Sequence, residues 1–285
     1  MTARWAYLFL APAALGATVL VALPILAVIG IAFTDYDAIN PPRAVGLENF
    51  SALVDDPIFG TALGNSLLFI AVVVPARLVV AVSVGLLVSV SRRGVGAART
   101  ATVLPTFLPE VAVALMWLWV FNPLYGPLAA ALGALGAPGS EWLLTGWGAR
   151  VAVAIMSLFL VGEAILVVAA ARNEIPSTLY EVAAMEGASR AQAFRGITLP
   201  LLAPVLVVLT ARDVALSLQA TFIPTLILYD GGPEYATTVL PLLAYQSAFE
   251  FLRFGYAAAI TVVMLAIAAT AALAAGLALR RLSLR

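Results

Sequence analysis

The sequence contains no cysteine, no histidine and no lysine, and all fifteen of its basic residues are arginine. Without cysteine, disulfides, thiol catalysis and cysteine-ligated metal or iron-sulfur sites are excluded. Without histidine, the commonest general base and metal ligand is missing. Without lysine, the chain lacks the lysine-containing phosphate loop of nucleotide hydrolases. If ATP powers this protein, another chain must bind it.

Charge of either sign is also scarce. Of 285 residues, 11% are charged and 63% are hydrophobic, and the mean hydropathy is +1.06. Fifteen acidic and fifteen basic residues cannot form the polar surface of a water-soluble protein of this size. Lipid is therefore predicted to be the main solvent of the chain.

Long apolar runs provide the membrane-spanning elements. A hydrocarbon core of about 30 Å is crossed by roughly 20 apolar residues of helix. Pro12 and Pro24 in the first run fit a kinked spanning helix, although a secretory signal is the alternative interpretation. We therefore predict an all-α membrane protein, one transmembrane domain over residues 1–285 with six spans. The spans are 6–33, 63–90, 100–121, 151–171, 199–227 and 256–279.

The distribution of arginine between the loops predicts the orientation, because cytoplasmic loops retain positive charge. Both termini are predicted to be cytoplasmic, with external loops at about 34–62, 122–148 and 229–254 and a short amphipathic helix near 128–135. The arginines on the cytoplasmic side are Arg4, Arg92, Arg93, Arg99, Arg172, Arg190, Arg195, Arg280, Arg281 and Arg285. The external side has Arg43, Arg150 and Arg253.

The cytoplasmic loop at about 173–198 has the pattern of two short helices with a sharp joint. Pro176 suits a first helical turn, and Gly187 stands where a left-handed residue ends a helix. Ser189 and Gln192 fit a capping box that begins the second helix. Such a surface is suited to docking of a partner, with Glu181 offering a carboxylate. The alternative is a linker in which glycine merely turns the chain.

The residues of this loop resemble a known motif. The run IPSTLYEVAAMEGA at 175–188, followed by Phe194 and Pro200, is similar to the EAA loop of permeases from bacterial and archaeal ABC importers. Val182 replaces the first alanine of the usual Glu-Ala-Ala, and Glu186 stands where aspartate is more common. The resemblance implies an ATPase-coupling site. Its residues are Tyr180, Glu181, Ala183, Ala184, Glu186, Gly187, Ala188, Phe194 and Pro200.

Other segments resemble the carbohydrate-type branch of this family, which includes maltose and glycerol-phosphate permeases. They are WLWVFNPLYG at 117–126, DGGP at 230–233 and GYAAA at 255–259. Phe222-Ile223-Pro224 departs from the Phe-Asp that the family often has there. The resemblance implies a type I importer permease fold and binding-protein-dependent transport of a sugar or sugar-like solute.

The resemblance also implies partners and a location. The partners are a second permease in a heterodimer, two cytoplasmic ATPase subunits that hold ATP-Mg, and an extracytoplasmic solute-binding protein. The chain itself would have no cofactor, no metal and no enzymatic activity. It would lie in the lipid of a bacterial or archaeal cytoplasmic membrane and bind no nucleic acid.

Five ionisable residues fall inside the predicted spans, where a charge costs at least ~2.5 kcal/mol unless it is paired or hydrated. They are Arg77, Glu110, Glu163, Arg212 and Asp213. One interpretation is that Glu110, Glu163, Arg212 and Asp213 line the translocation path. The other is internal ion pairing that fixes helix packing, such as Arg77 with Glu163 or Arg212 with Glu110.

Trp117 and Trp119 also permit two interpretations. Aromatic rings at a membrane interface anchor helices. Together with Asn122 and Gln219, the two rings would alternatively contact sugar rings along the path.

Two rival functions fit an apolar chain of this kind. An ion-gradient-driven secondary transporter would use Glu110, Glu163 and Asp213 as coupling sites, but no convincing internal repeat is visible. A membrane enzyme or scaffold is the other rival, and the loops show no nucleophile or acid-base cluster for an enzyme.

Overall fold

The computed structural model describes residues 3–90, 94–136 and 140–283. Arg92, Arg93 and Arg285, which contribute to the predicted orientation, lie outside these residues. The described chain is almost entirely helical, as predicted. Besides helices and loops, the described residues include one short antiparallel strand pair, in which Thr34 faces Ala44 and Asp35 faces Arg43.

The first part of the described chain contains seven helices and the two strands. They are α1 (Ala3–Ala17), α2 (Leu23–Ile31), β1 (Thr34–Asp35), β2 (Arg43–Ala44), α3 (Glu48–Asp55), α4 (Pro57–Ser89), α5 (Val95–Val103), α6 (Glu110–Val120) and α7 (Pro127–Ala134). A π-helical turn at Thr18–Ala22 joins α1 to α2, and a 3₁₀ turn at Leu104–Phe107 extends α5. Helix α7 confirms a short helix near 128–135, but its sequence PLAAALGA has no polar side chain, so the helix is not amphipathic as predicted.

The remaining part contains eight helices, with a 3₁₀ turn at Ser140–Leu144 before the first of them. They are α8 (Gly146–Phe159), α9 (Gly162–Asn173), α10 (Ser177–Met185), α11 (Arg190–Ala193), α12 (Leu199–Ala220), α13 (Phe222–Tyr229), α14 (Leu240–Tyr245) and α15 (Phe254–Ser283). π-helical turns at Phe194–Thr198 and Gln246–Glu250 follow α11 and α14.

Four continuous helical segments are long and apolar enough to cross a membrane: Phe9–Ile31, Pro57–Ser89, Arg190–Tyr229 and Phe254–Leu282. Two further candidates are bent pairs. Val95–Phe107 meets Glu110–Val120 at 100°, and Gly146–Phe159 meets Gly162–Asn173 at 47°. With each pair taken as one span, the total is the six predicted from sequence.

The bend in the third span corrects the continuous helix predicted for 100–121. Pro109 lacks a backbone N–H and disfavours a helical conformation at the residue before it. Leu108 is accordingly extended, with φ −77° and ψ 141°. Glu110 therefore lies in the first turn of α6 rather than in the middle of one long helix.

The bend in the fourth span corrects the continuous helix predicted for 151–171. A Cβ atom on Gly162 would lie 2.4 Å from the carbonyl oxygen of Thr102, so the start of α9 approaches the α5 backbone at a distance that only glycine permits. Glu163 thus lies in the first turn of α9. The partial positive charge of a helix N-terminus stabilises a carboxylate at both Glu163 and Glu110.

The described residues divide into two compact units, of which the first comprises 3–60 and 240–266. In it the Asn49 side-chain amide donates hydrogen bonds of 2.9 Å to the carbonyl oxygens of Ala32 and Thr34. Tyr256 donates a hydrogen bond to the Asp56 carboxylate. These bonds join α2, β1, α3 and the beginning of α15.

The tip of the loop between the two strands is held by Asp37. Its carboxylate accepts hydrogen bonds from the backbone N–H groups of Asn40 at 2.7 Å and Ile39 at 2.9 Å, and from the Asn40 side chain at 2.7 Å. The bonds from Asn40 and Ile39 lower the pKa of Asp37 below its ordinary value. This exposed loop is therefore ordered by local bonds.

The second unit comprises 61–239 and 267–283 and contains two clusters of buried apolar side chains. One cluster joins α4, α9 and α12 around Val168 and Leu202. The other joins α6, α8 and α13 around Val113 and Met156. A Cβ atom on Gly85 would lie 2.9 Å from Val168, which shows how closely α4 and α9 approach.

Candidate functional site

The predicted cytoplasmic loop folds as the sequence indicates. Helix α10 ends at Met185, and Gly187 has a φ of +80°. The Ala188 N–H donates to the Ala183 carbonyl oxygen at 2.9 Å, and the Gly187 N–H donates to that of Ala184 at 3.1 Å. This pair of bonds is a Schellman motif, which satisfies carbonyl groups at the end of a helix.

The second helix of the loop begins with the predicted capping box. The backbone N–H of Gln192 donates to the Ser189 hydroxyl at 3.3 Å, and the Ser189 N–H donates to the Gln192 side-chain oxygen at 2.7 Å. The joint at 186–189 is therefore fixed at both ends by local hydrogen bonds.

Tyr180 connects α10 to the adjacent helices. Its hydroxyl lies 2.9 Å from the Thr198 hydroxyl, before α12. The guanidinium carbon of Arg172, at the end of α9, lies 4.3 Å from the centre of the Tyr180 ring. The Tyr180 side chain therefore contacts both the end of α9 and the turn that precedes α12.

The outward surface of α10 is free for contact with another molecule. Met185 is 80% exposed and Val182 is 49% exposed. Glu181 and Glu186 are also exposed, and no described residue forms an ion pair with either. A Cβ atom on Gly187 would meet no atom within 4 Å. Exposed apolar and acidic side chains thus lie together beside the accessible backbone of Gly187.

A cavity of about 360 Å³ lies in the second unit. It contains four of the predicted path residues, Glu110, Glu163, Arg212 and Gln219. The lining also includes Arg77, Thr106, Leu108, Ser157, Leu160, Leu216, Ala220 and Pro224. Both helix bends contribute to it, because Leu108 and Leu160 lie at the two breaks. The bends therefore bring the first turns of α6 and α9, and the carboxylates on them, to one space.

The ion pairs at this cavity differ from those predicted. Arg77 Nε lies 3.5 Å from Asp213 Oδ2, and Arg212 forms its close contact with Glu163. Arg212 also lies 3.5 Å from the other Asp213 oxygen. The predicted pairs Arg77–Glu163 and Arg212–Glu110 are therefore wrong. The helix breaks displace both glutamates from the positions that two straight helices would give them.

Glu110 is the carboxylate of this group without a cation. Among the described residues it has no ion-pair partner, and its Oε1 atom is buried without a hydrogen-bond partner. Asp213 is 0% exposed and does not line the cavity. Of the predicted path residues with a carboxyl group, Glu110 thus lines the cavity without a described ion-pair partner, whereas Asp213 contacts Arg77 and Arg212 from behind it.

Three predicted path residues lie away from the cavity. The Trp117 ring packs 4.9 Å from Phe121 and 5.8 Å from Phe159, centre to centre, in an apolar cluster. Trp119 is 55% exposed. Asn122 accepts backbone hydrogen bonds and thereby closes the turn after α6. The structure does not bring these three side chains together with Gln219.

Sequence reasoning did not identify Asn65 and Arg150 as partners. The buried Asn65 amide donates to the carbonyl oxygens of Tyr235 and Thr238 at 2.9 and 2.8 Å. Arg150 donates to Asn65 Oδ1 at 3.1 Å and to the Ala236 carbonyl oxygen at 2.9 Å. Together they fix loop 235–238. The sequence signal for this contact is that Arg150 is one of three arginines on the predicted external side, where arginine is scarce.

The repeated apolar spans, the charged interior cavity and the exposed helical loop define a polytopic membrane transport protein that has a surface for a partner. Residues 77–284 match the model of the binding-protein-dependent transport system inner membrane component family. The chain belongs to this family and is a multi-pass ABC transporter permease. An ion-gradient-driven transporter is therefore not favoured.

Curated relatives match nearly the whole chain. The sulfoquinovosyl glycerol transport system permease protein SmoG of Agrobacterium fabrum is 31% identical over 265 residues, 92% of this chain and 86% of that protein. The trehalose/maltose transport system permease protein MalF of Thermococcus litoralis is 29% identical over 275 residues, 92% of this chain and 93% of that protein.

A solved structure confirms the fold. A chain of a bacterial alginate ABC transporter, crystallised with an alginate pentasaccharide-bound periplasmic protein, superposes with a TM-score of 0.81. The identity is 23%, and the match covers 98% of this chain and 94% of that chain. The architecture is thus the type I importer permease fold that the sequence predicted.

Proposed function

We propose that this chain is one permease of a heterodimer that imports a sugar or sugar-like solute across a bacterial or archaeal cytoplasmic membrane. The names of the relatives support a carbohydrate solute, since SmoG is named for sulfoquinovosyl glycerol transport and MalF for trehalose/maltose transport. The family name supports a solute-binding protein as the external partner. Both termini are cytoplasmic in this proposal, in accord with the arginine distribution.

The proposal assigns ATP hydrolysis to two separate cytoplasmic subunits. ATP-Mg would bind there, because this chain has no lysine for a phosphate-binding loop. The permease would contribute no catalytic residue. Its role would be to convert closure of the ATPase pair into a change in helix positions.

The observation that carries the proposal is the exposed surface of α10 joined through Tyr180 to α9 and α12. Val182 and Met185 supply apolar area, Glu181 and Glu186 supply charge, and Gly187 leaves its backbone open. A groove on the ATPase would enclose this surface. Movement of the groove would be transmitted through the hydroxyl contact with Thr198 and the Arg172–Tyr180 contact.

The cavity is then the part of the solute path that this chain provides. Its charged side chains come from α4, α6, α9 and α12. The same helices α9 and α12 are those held by Tyr180, so movement of the coupling loop would reach the cavity directly. A transporter that alternates between two conformations needs such a shared element, whose position depends on both the coupling loop and the solute site.

The test is transport by the reconstituted complex. The chain is purified with its co-expressed permease and ATPase, placed in proteoliposomes, and supplied with ATP inside and the external binding protein outside. ATP-dependent accumulation of labelled disaccharides, absent with a non-hydrolysable ATP analogue, is the expected result. Accumulation that needs an ion gradient and no ATP would contradict the proposal.

A further inference from the structure

The break in the fourth span is held by a side chain from another helix. In an uninterrupted helix the Leu160 carbonyl oxygen would accept a hydrogen bond from the N–H of Ala164, four residues further on. Here the guanidinium of Arg77, on α4, donates to this oxygen at 3.3 Å. A side chain that bonds to the backbone ladder of a helix favours a kink, and a cation is favourable at a helix C-terminus such as that of α8. Arg77 thus stabilises the bend between α8 and α9.

Ion pairs connect both sides of this break to α12. On the α8 side, Arg77 Nε lies 3.5 Å from the Asp213 carboxylate. On the α9 side, Glu163 in the first helical turn pairs with Arg212. The end of α8 is therefore linked to α12 through Arg77, and the start of α9 is linked to α12 through Arg212.

Helix α9 extends from this break to the coupling loop at 173–198. At its start, a Cβ atom on Gly162 would lie 2.4 Å from the Thr102 carbonyl oxygen, so α9 rests directly on the α5 backbone. The helix has 12 residues and is therefore about 18 Å long. At its end, the Arg172 guanidinium lies over the Tyr180 ring. One short helix thus has the cavity at its first turn and the coupling loop at its last.

We propose that α9 pivots on the break at 160–162 and that Arg77 is the positioning residue of this pivot. The inference rests on the proposed function, because movement of the ATPase subunits would reach the end of α9 through Tyr180. Hinges are formed by a few residues at the ends of elements, which absorb the change in backbone angles. Arg77 holds the end of α8 in place, so that movement of the coupling loop turns the first turn of α9 at the cavity wall.

Distances between spin labels test the pivot in the complete reconstituted transporter. The chain contains no cysteine, so labels attach to introduced cysteines, and the unsubstituted chain gives the background from the partner subunits. One pair, Leu87→Cys with Asn173→Cys, joins α4 to the end of α9. The other pair, Leu67→Cys with Ile155→Cys, joins α4 to α8. All four positions are exposed.

The two distances are compared between the nucleotide-free complex and the complex with a non-hydrolysable ATP analogue. We expect the α4–α9 distance to change by about 5 Å, the displacement of an arm of about 18 Å that turns by about 15°. The α4–α8 distance should change by less than about 2 Å. Equal changes of both distances, or no change of the first, would overturn the pivot. If the unsubstituted complex does not accumulate labelled disaccharides with ATP, the proposed function fails and the inference with it.

The ratio of ATP hydrolysed to solute accumulated tests the role of Arg77. Arg77→Met is expected to raise this ratio about tenfold, the size expected for loss of one hydrogen bond from a charged group. Arg77→Lys keeps a cationic donor and should restore most of the coupling. Arg99→Met is the matched control, because Arg99 also donates to a backbone carbonyl oxygen, that of Val88 at 2.6 Å, but away from the break.

A merely structural role of Arg77 would lower ATP hydrolysis and uptake together. An unchanged ratio in an assembled Arg77→Met complex, or an equal rise in Arg99→Met, would overturn the assignment. If Arg77→Met does not assemble, the double substitution Arg77→Met with Asp213→Asn removes both charges of the buried pair and is measured in its place.

Discussion

The guanidinium of Arg77 lies 3.5 Å from the carboxylate of Asp213, and the Asp213 side chain is 0% exposed. The pair joins α4 to α12 at the wall of the cavity. Both charges lie in an apolar interior. Each charged group therefore offsets the unfavourable burial of the other. The second contact of Asp213, with Arg212, extends this link to Glu163 on α9.

Asp213→Ala is expected to destabilise the chain by about 3–5 kcal/mol, because it leaves Arg77 buried without its counter-charge. The measurement is the unfolding midpoint in mild detergent. The exposed pair Asp35–Arg43 provides the control, and Asp35→Ala should change stability by no more than about 1 kcal/mol. Equal effects of the two substitutions would show that the buried pair has no special role.

Gly187→Leu is expected to abolish association with the ATPase. A Cβ atom at Gly187 would meet no described atom within 4 Å, so the main cost of the substitution within the chain is the left-handed backbone conformation. Gly46 has a φ of +61° and equally open surroundings, and Gly46→Leu is the matched control for that backbone cost. The comparison is made by co-purification. Retained ATPase in the Gly187→Leu complex, or equal loss in both variants, would contradict a docking role.

Tyr180→Phe and Thr198→Val each remove one side of the 2.9 Å hydroxyl contact. We expect the two substitutions to be non-additive in their effect on transport rate at saturating ATP, with an interaction energy of about 0.5–1.5 kcal/mol. A double-mutant cycle on the reconstituted complex measures it. Strict additivity would mean that the contact does not transmit movement from α10 to α12.

Glu163→Gln tests whether the Arg212–Glu163 pair lines the translocation path or only fixes helix packing. The Glu163 side chain is 63% exposed and the Arg212 side chain is 35% exposed. Loss of this pair should therefore lower the free energy of unfolding by about 1 kcal/mol or less. Transport should nevertheless fall, because Arg212 loses the closer of its two carboxylate partners and the charge balance of the cavity changes. The measurements are unfolding and ATP-dependent uptake. A large loss of stability would instead support a packing role.

The sequence predicted best those features that depend on local chemistry. The six spans follow from apolar run length, and the joint at 186–189 follows from Gly187 and from the Ser189–Gln192 box. Each of these is decided by a few neighbouring residues, so no knowledge of helix packing is needed. The family resemblance rested on the same local patterns.

The ion pairs and the cavity could not be predicted in the same way. The break at Pro109 had a local signal, but the break before Gly162 lies where the α5 backbone approaches, which only the folded chain reveals. Those breaks set the positions of Glu110 and Glu163. Pairing also depends on the rotation of each helix about its axis, which apolar periodicity leaves undetermined when all faces are apolar.

The most direct test of the central claim is purification of the tagged chain in mild detergent from cells that co-express its native partners. An importer permease should bring with it a second permease and an ATPase subunit, and the external binding protein should stimulate ATP hydrolysis by the complex. A chain that purifies alone, and that drives ion-gradient-dependent uptake in vesicles, would contradict the account.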